Sequence, residues 1–220
     1  MATGFQTTLL FLILATTSLP AQETAKTEEV PVRRIGVIFG GTFEGFEVTA
    51  PLEGAKKTRL AAFYEWDFGV RPFTKKTWAE RGLQWDQFLP LALTLADSIA
   101  GKLKPELVRD DRGVALYAII ADEDPFLTSA ILSPKLHERF RETLGDRIHV
   151  VLLERNRLYL FPATGGTLPE FGPSLVEEFR RSSFPVSLEI FLLDRDGYRV
   201  VGELERPGPE TLDLGEEEPR

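Results

Sequence analysis

Three adjacent acids, Asp122, Glu123 and Asp124, stand directly before Pro125. Neighbouring carboxylates are raw material for acid–base catalysis or for holding a divalent cation. The same run suits a helix start, where acids complement the dipole, so capping is the expected role and a carboxylate pair the catalytic alternative. A second candidate is Gly36–Gly45, which reads as a strand running into a glycine-rich turn. Phosphate-cradling loops follow strands in this way, because glycine lets backbone N–H groups approach an anion. Here neither the dinucleotide nor the P-loop spacing is met, and Phe46–Thr49 looks extended where a helix should begin. A tight turn explains these glycines.

Asp194-Arg195-Asp196-Gly197 opens like a calcium-binding loop, yet the residues that should supply the later ligands, Tyr198–Leu204, read as a strand. A hairpin turn is the expectation. His149 lies between Ile148 and Val150, so alternation turns it to the face opposite them. It is expected to be partly exposed, and His137, beside Glu138 and Arg139, is expected at the surface of a charged helix. Ser129 is read as a packing or helix-start residue and not as a nucleophile.

Aromatic density is the most unusual local feature. Residues 39–88 hold 11 of the 23 aromatics, including all three tryptophans. Rings among polar neighbours form recognition surfaces by stacking, and cores use rings as readily. Trp66, Phe68, Arg71 and Phe73 are the candidate binding residues within this stretch.

The elements that position these residues follow from hydrophobic spacing. Phe88, Leu89, Ala92, Leu95, Ala96, Ile99 and Leu103 recur every three or four residues, predicting a core helix over about 87–103. Asp86 is its expected N-cap, with Pro90 in the first turn. Strands are expected at Arg34–Phe39, Phe46–Ala50, Arg59–Phe68, Glu106–Val108, Val114–Ala121, Ile148–Leu153, Leu158–Phe161, Ser187–Leu193 and Tyr198–Leu204. Helical segments are expected over 125–144, broken near Ser133-Pro134 and stopped by Gly145, and over 173–182. Hairpins outnumber parallel crossovers. The fold class expected is therefore α+β, a mostly antiparallel sheet built from hairpins with helices packed on one face.

Composition narrows the function classes. The 220 residues contain no cysteine and two histidines, so disulfides, Cys-ligated metals and a three-histidine centre are excluded. A net charge of −8 with no basic stripe makes nucleic acid a poor partner. No metal or cofactor is expected. Residues 1–22 carry no charge and include the apolar run Leu9–Ala15, which matches the core of a secretory signal peptide cleaved after Ala21. An uncleaved N-terminal anchor is the alternative. Residues 22–33 read as a linker, 34–205 as a single domain, and 206–220, with five acids and two bases, as an acidic disordered tail.

The stretches FGVRPFTKKTWAERGLQWDQFLPLALTLADSI, YAIIADEDPFLTSAILSPKLHERFRETLGDRIHVVLLERNRLYLFPA and FPVSLEIFLLDRDGYRV resemble the YtpQ-like family of bacterial proteins (domain of unknown function 1444). The resemblance covers roughly residues 60–205. It departs from the family at Leu127-Thr128-Ser129, at the turn Glu154-Arg155-Asn156 and in the signal-like segment. It implies a fold and no catalytic residues. The expectation is an exported, periplasmic or extracellular, non-enzymatic binding module whose partner is a protein or a cell-envelope component. A carboxylate-dependent envelope hydrolase using Asp122, Glu123 or Asp124 is the alternative.

Overall fold

The computed structural model describes residues 31–204. The expected signal peptide, most of the linker and the acidic tail lie outside the described residues. Four strands precede the long helix. β1 (Arg34–Gly41) pairs antiparallel with β3 (Thr58–Trp66), from Arg34 opposite Glu65 to Gly41 opposite Thr58. β2 (Thr49–Ala50) and β4 (Gly69–Pro72) also pair with β3 and complete a small sheet. β4 returns from β3 through the two-residue turn Asp67-Phe68.

A second sheet holds β5 (Glu106–Arg109), β6 (Ala115–Ala121), β7 (Ile148–Glu154), β8 (Arg157–Pro162), β9 (Glu189–Asp194) and β10 (Gly197–Glu203). Its order is β10-β9-β7-β8-β6-β5, and every pairing in both sheets is antiparallel. The α+β class and the hairpin construction agree with the sequence. The strands do not form one sheet, however, because those before the long helix pair only among themselves.

Four α-helices accompany the sheets among the described residues: α1 (Lys75–Glu80), α2 (Trp85–Ala100), α3 (Pro134–Leu144) and α4 (Thr167–Arg181), with a 3-10 segment at Leu127–Leu132. The helices are not confined to one face of the larger sheet. Val150, Leu152, Leu158, Leu160 and Phe191 share one core with α2 and α3. Their neighbours in sequence, Val151, Leu153, Tyr159 and Phe161, join Leu168, Leu175 and Val176 of α4 in a second core. The cause lies in the strands, since Val150–Leu153 and Leu158–Phe161 are apolar at every position. Uninterrupted apolar runs mark a sheet buried on both faces.

α2 buries Phe88, Ala92, Ala96, Ile99 and Ala100, so the expected stripe is present. Burying such a stripe contributes on the order of 10 kcal/mol gross, before chain entropy is subtracted. Its start differs from expectation. Gln84 occupies the N-cap, Asp86 lies within the first turn, and Pro90 falls in the second turn. Pro90 therefore leaves the Asp86 carbonyl without its helical donor. α1 is unexpected but has a local cause: the Thr74 hydroxyl accepts from the Thr77 N–H at 3.1 Å, and the Thr77 hydroxyl accepts from the Thr74 N–H at 3.0 Å. α4 begins six residues before the expected start and carries Pro173 inside it.

Candidate binding site

The β3–β4 hairpin separates the four proposed binding residues. Tyr64 is opposite Arg71 and Trp66 is opposite Gly69, which puts Tyr64, Trp66 and Arg71 on one face of the ribbon. The Arg71 guanidinium lies 4.0 Å from the centre of the Trp66 ring. Phe68, in the turn, meets Trp66 edge to face at 4.8 Å and is 83% exposed, more than any other large apolar side chain among the described residues. Phe73 goes the other way. It is 1% exposed and packs against Tyr64, Trp78 and Phe88, so it is a core residue.

Three of the four residues thus form one amphipathic tip. Arg71 has no carboxylate partner among the described residues. Its stacking is worth about 0.5–1 kcal/mol at an exposed position. That suffices to fix the ring while leaving the guanidinium hydrogens free to donate. Beside it, Arg33 pairs with Asp67 of the turn at 2.7 Å. The tip offers an apolar ring, a cation and no nucleophile.

The acidic run is engaged in local turns. Asp122 accepts the Asp124 N–H at 2.8 Å, and Asp124 Oδ1 accepts the Phe126 N–H at 2.9 Å. Asp124 Oδ2 accepts from Arg34 at 2.7 Å, while Arg34 also donates to Glu65 at 2.5 and 3.2 Å. Hydrogen bonding to Glu65, then to Asp124, raises the Arg34 pKa against the opposing effect of burial. Glu123 is exposed. Among the described residues no three metal-binding side chains converge anywhere.

The glycine-rich turn receives an anion from its own sequence. The Gly41 N–H donates to Glu44 Oε2 at 2.8 Å, and Arg155, from the β7–β8 turn, pairs with the other oxygen. Arg155 also lies 5.4 Å from the Phe46 ring centre and 5.9 Å from that of Phe63. Burial lowers its pKa. A Cβ on Gly40 would stand 2.5 Å from the Phe46 ring, so glycine serves packing there and not phosphate binding.

The remaining candidates are structural. His137 is 7% exposed and its Nε2 lies 2.9 Å from the Asp146 carbonyl, so the expected surface histidine is a buried one. His149 is half-buried as expected, and burial, helped by the charge of Arg147, lowers its pKa. Ser129 is fully buried, which removes it from any substrate. Asp194 accepts the Asp196 N–H at 3.0 Å inside the β9–β10 turn and pairs with Arg199, as a hairpin turn requires.

Sequence reasoning missed one concavity of about 200 Å³, because its wall comes from five separate stretches, Thr42-Phe43, Lys57, Phe179, Val186–Leu188 and Glu203. Only Thr42 and Phe43 fall in a stretch the sequence singles out, the glycine-rich turn. No helix among the described residues is long and apolar enough to cross a membrane. The chain matches no known protein family, no curated protein and no solved structure.

Proposed function

We propose that this chain is a non-enzymatic, exported binding module of the cell envelope that engages a protein or another envelope component through the β3–β4 hairpin. The observation that carries this reading is Phe68, an 83% exposed ring held edge-on by Trp66 while Arg71 caps the same tryptophan. Exposing a large ring at a turn forgoes its burial free energy, and exposed apolar groups set among polar ones mark contact surfaces. Export rests on the uncharged, apolar first segment. The YtpQ-like resemblance points the same way, since it brings a fold without catalytic residues. No observation favours the carboxylate hydrolase: Asp122 and Asp124 already accept backbone N–H groups, and Asp124 is paired with Arg34.

The test is affinity capture from the native envelope fraction with the wild-type chain and with Phe68→Ala and Arg71→Ala, together with N-terminal sequencing of the purified protein. A recurrent partner lost in both variants and a mature chain starting after Ala21 are expected. A partner retained by both variants would remove the hairpin from the proposal. An intact Met1 on a cytoplasmic protein would remove export.

A further inference from the structure

The chain enters the fold at the tip of the β3–β4 hairpin. The Arg33 N–H donates to the Glu65 carbonyl at 2.8 Å, and the Arg33 guanidinium pairs with Asp67 of the turn at 2.7 Å. Residues 1–22, uncharged and carrying the apolar run Leu9–Ala15, are joined to this end of the small sheet through residues 23–33. A segment of that length reaches at most about 40 Å when fully extended. For as long as the apolar segment is attached, a bilayer that holds it lies within that reach of the tip.

The tip is small and of mixed character. Phe68 protrudes from the turn, while Trp66 beside it and Val70 on the returning strand are half-buried. Two rings offer roughly 300–400 Å² of contact, since one aromatic side chain buries about 150–250 Å². A stable protein interface takes about 800 Å² from each side, so the tip falls well short of one. A protruding turn also needs a matching cavity in a rigid partner. A bilayer needs none, because lipid chains rearrange around an inserted ring and an amphipathic tryptophan suits the headgroup boundary. The charge fits the same surface. Arg33 answers the one acid of the turn, Asp67, and Arg71, stacked on Trp66, has no carboxylate partner among the described residues. From Phe68 to Ala79 the chain carries Arg71, Lys75 and Lys76 and no acid.

We propose that the β3–β4 tip docks reversibly on the surface of a phospholipid bilayer. Phe68 enters just below the headgroups, Trp66 lies at the boundary, and Arg71 donates its guanidinium hydrogens to lipid phosphate. Anionic headgroups strengthen the contact through the local run of basic residues. The chain's net charge of −8 repels the same surface from elsewhere, which turns the tip toward the lipid. One inserted ring is too little for permanent anchoring, so the contact is peripheral and depends on lipid concentration. This inference rests on the hairpin being the contact surface and names the bilayer as the envelope component it engages.

The probe is a vesicle of mixed phosphatidylethanolamine and phosphatidylglycerol, sedimented with the protein purified from the envelope fraction. Half of the wild-type protein is expected to bind at about millimolar lipid, with its tryptophan fluorescence quenched by lipid brominated in the acyl chains. Phe68→Ala is expected to weaken binding about tenfold and Arg71→Gln about threefold. Phe68→Trp is expected to tighten it about threefold, a gain that misfolding cannot produce. Vesicle binding that is absent, unquenched or equal in wild type and Phe68→Ala would overturn docking on lipid. If Phe68→Ala then still loses a protein captured from the envelope fraction, the hairpin remains the contact surface and that protein is its partner. If capture is unchanged as well, the hairpin reading falls with it.

Discussion

Arg34, the first residue of β1, donates from Nη1 to Oδ2 of Asp124 at 2.7 Å across 90 positions of sequence. The contact fastens the small sheet to the turn that follows β6. It also engages Asp124 fully in local structure, one oxygen accepting from Arg34 and the other from the Phe126 N–H.

Removing that carboxylate should register as stability. Asp124→Asn keeps an acceptor for the Phe126 N–H and loses only the charge, so a cost of about 1 kcal/mol is expected for this partly exposed pair. Asp124→Ala loses both bonds and is expected to cost about 2 kcal/mol. Urea unfolding midpoints measure both. Equal midpoints for wild type and Asp124→Ala would show that the turn forms without its cap.

Two glycines should respond unequally to a methyl group. Gly45 has φ +67° with nothing within 4 Å of an added Cβ, whereas Gly54 has φ +74° and would place Cβ 2.5 Å from the Val200 carbonyl oxygen. Gly45→Ala is expected to cost about 1 kcal/mol, the strain of the left-handed region alone. Gly54→Ala must also push β10 away from the Glu53 carbonyl that accepts the Val200 N–H at 3.0 Å, raising the cost to about 3 kcal/mol. Thermal unfolding of the two variants checks the order.

Phe68 and Phe73, five positions apart, should separate binding from folding. Phe68→Ala is expected to leave stability within about 0.5 kcal/mol of wild type while abolishing capture of the partner. Phe73→Ala empties a site bounded by Tyr64, Trp78 and Phe88 and is expected to cost about 3–5 kcal/mol. Denaturant titration alongside capture distinguishes them. A destabilised Phe68→Ala would place that ring in the core's energetics instead.

Alkaline pH should loosen the α4 face. Burial, then hydrogen bonding to Glu178, pushes the Tyr159 hydroxyl from an ordinary 10 up to about 12. Its neutral form is the one favoured in the folded state. The contribution is therefore complete below the unfolded value and is lost as pH rises through the folded one. Wild-type stability is expected to fall between pH 10 and 12 more steeply than that of Tyr159→Phe. Parallel slopes in denaturant titrations across that window would refute the assignment.

Much of the architecture was readable in local pattern. The 3.6-residue stripe placed α2, and Gly145 and Gly197, both with positive φ, stop or turn the chain where the sequence says they should. The break at Ser133-Pro134 is also real, with the Ser133 hydroxyl accepting the Lys135 N–H at 3.2 Å as the cap of α3. Helix starts were less legible. Asp86 has the right side chain for an N-cap, but the cap falls two residues earlier at Gln84, so that Asp86 accepts only the Gln87 N–H beside it. Of the hairpin, the sequence offered four residues by composition alone. Nothing in it could tell the exposed Phe68 from the buried Phe73, because ring type is the same and burial depends on what α1 and α2 bring opposite.

By itself the sequence determined the local elements, the hairpin pairings and the exclusion of thiol and multi-histidine chemistry, since these depend on residue type and short spacing. Tertiary structure decided how the strands divide into two sheets, which helix covers which face, that Glu44 and Arg155 close the glycine turn, and that Glu189 accepts the N–H groups of Lys56 and Lys57 while Glu203 pairs with the Lys57 ammonium. The last two rest on contacts between residues more than a hundred positions apart. Each is selected by the burial and charge compensation of the whole chain, which no short window of sequence encodes.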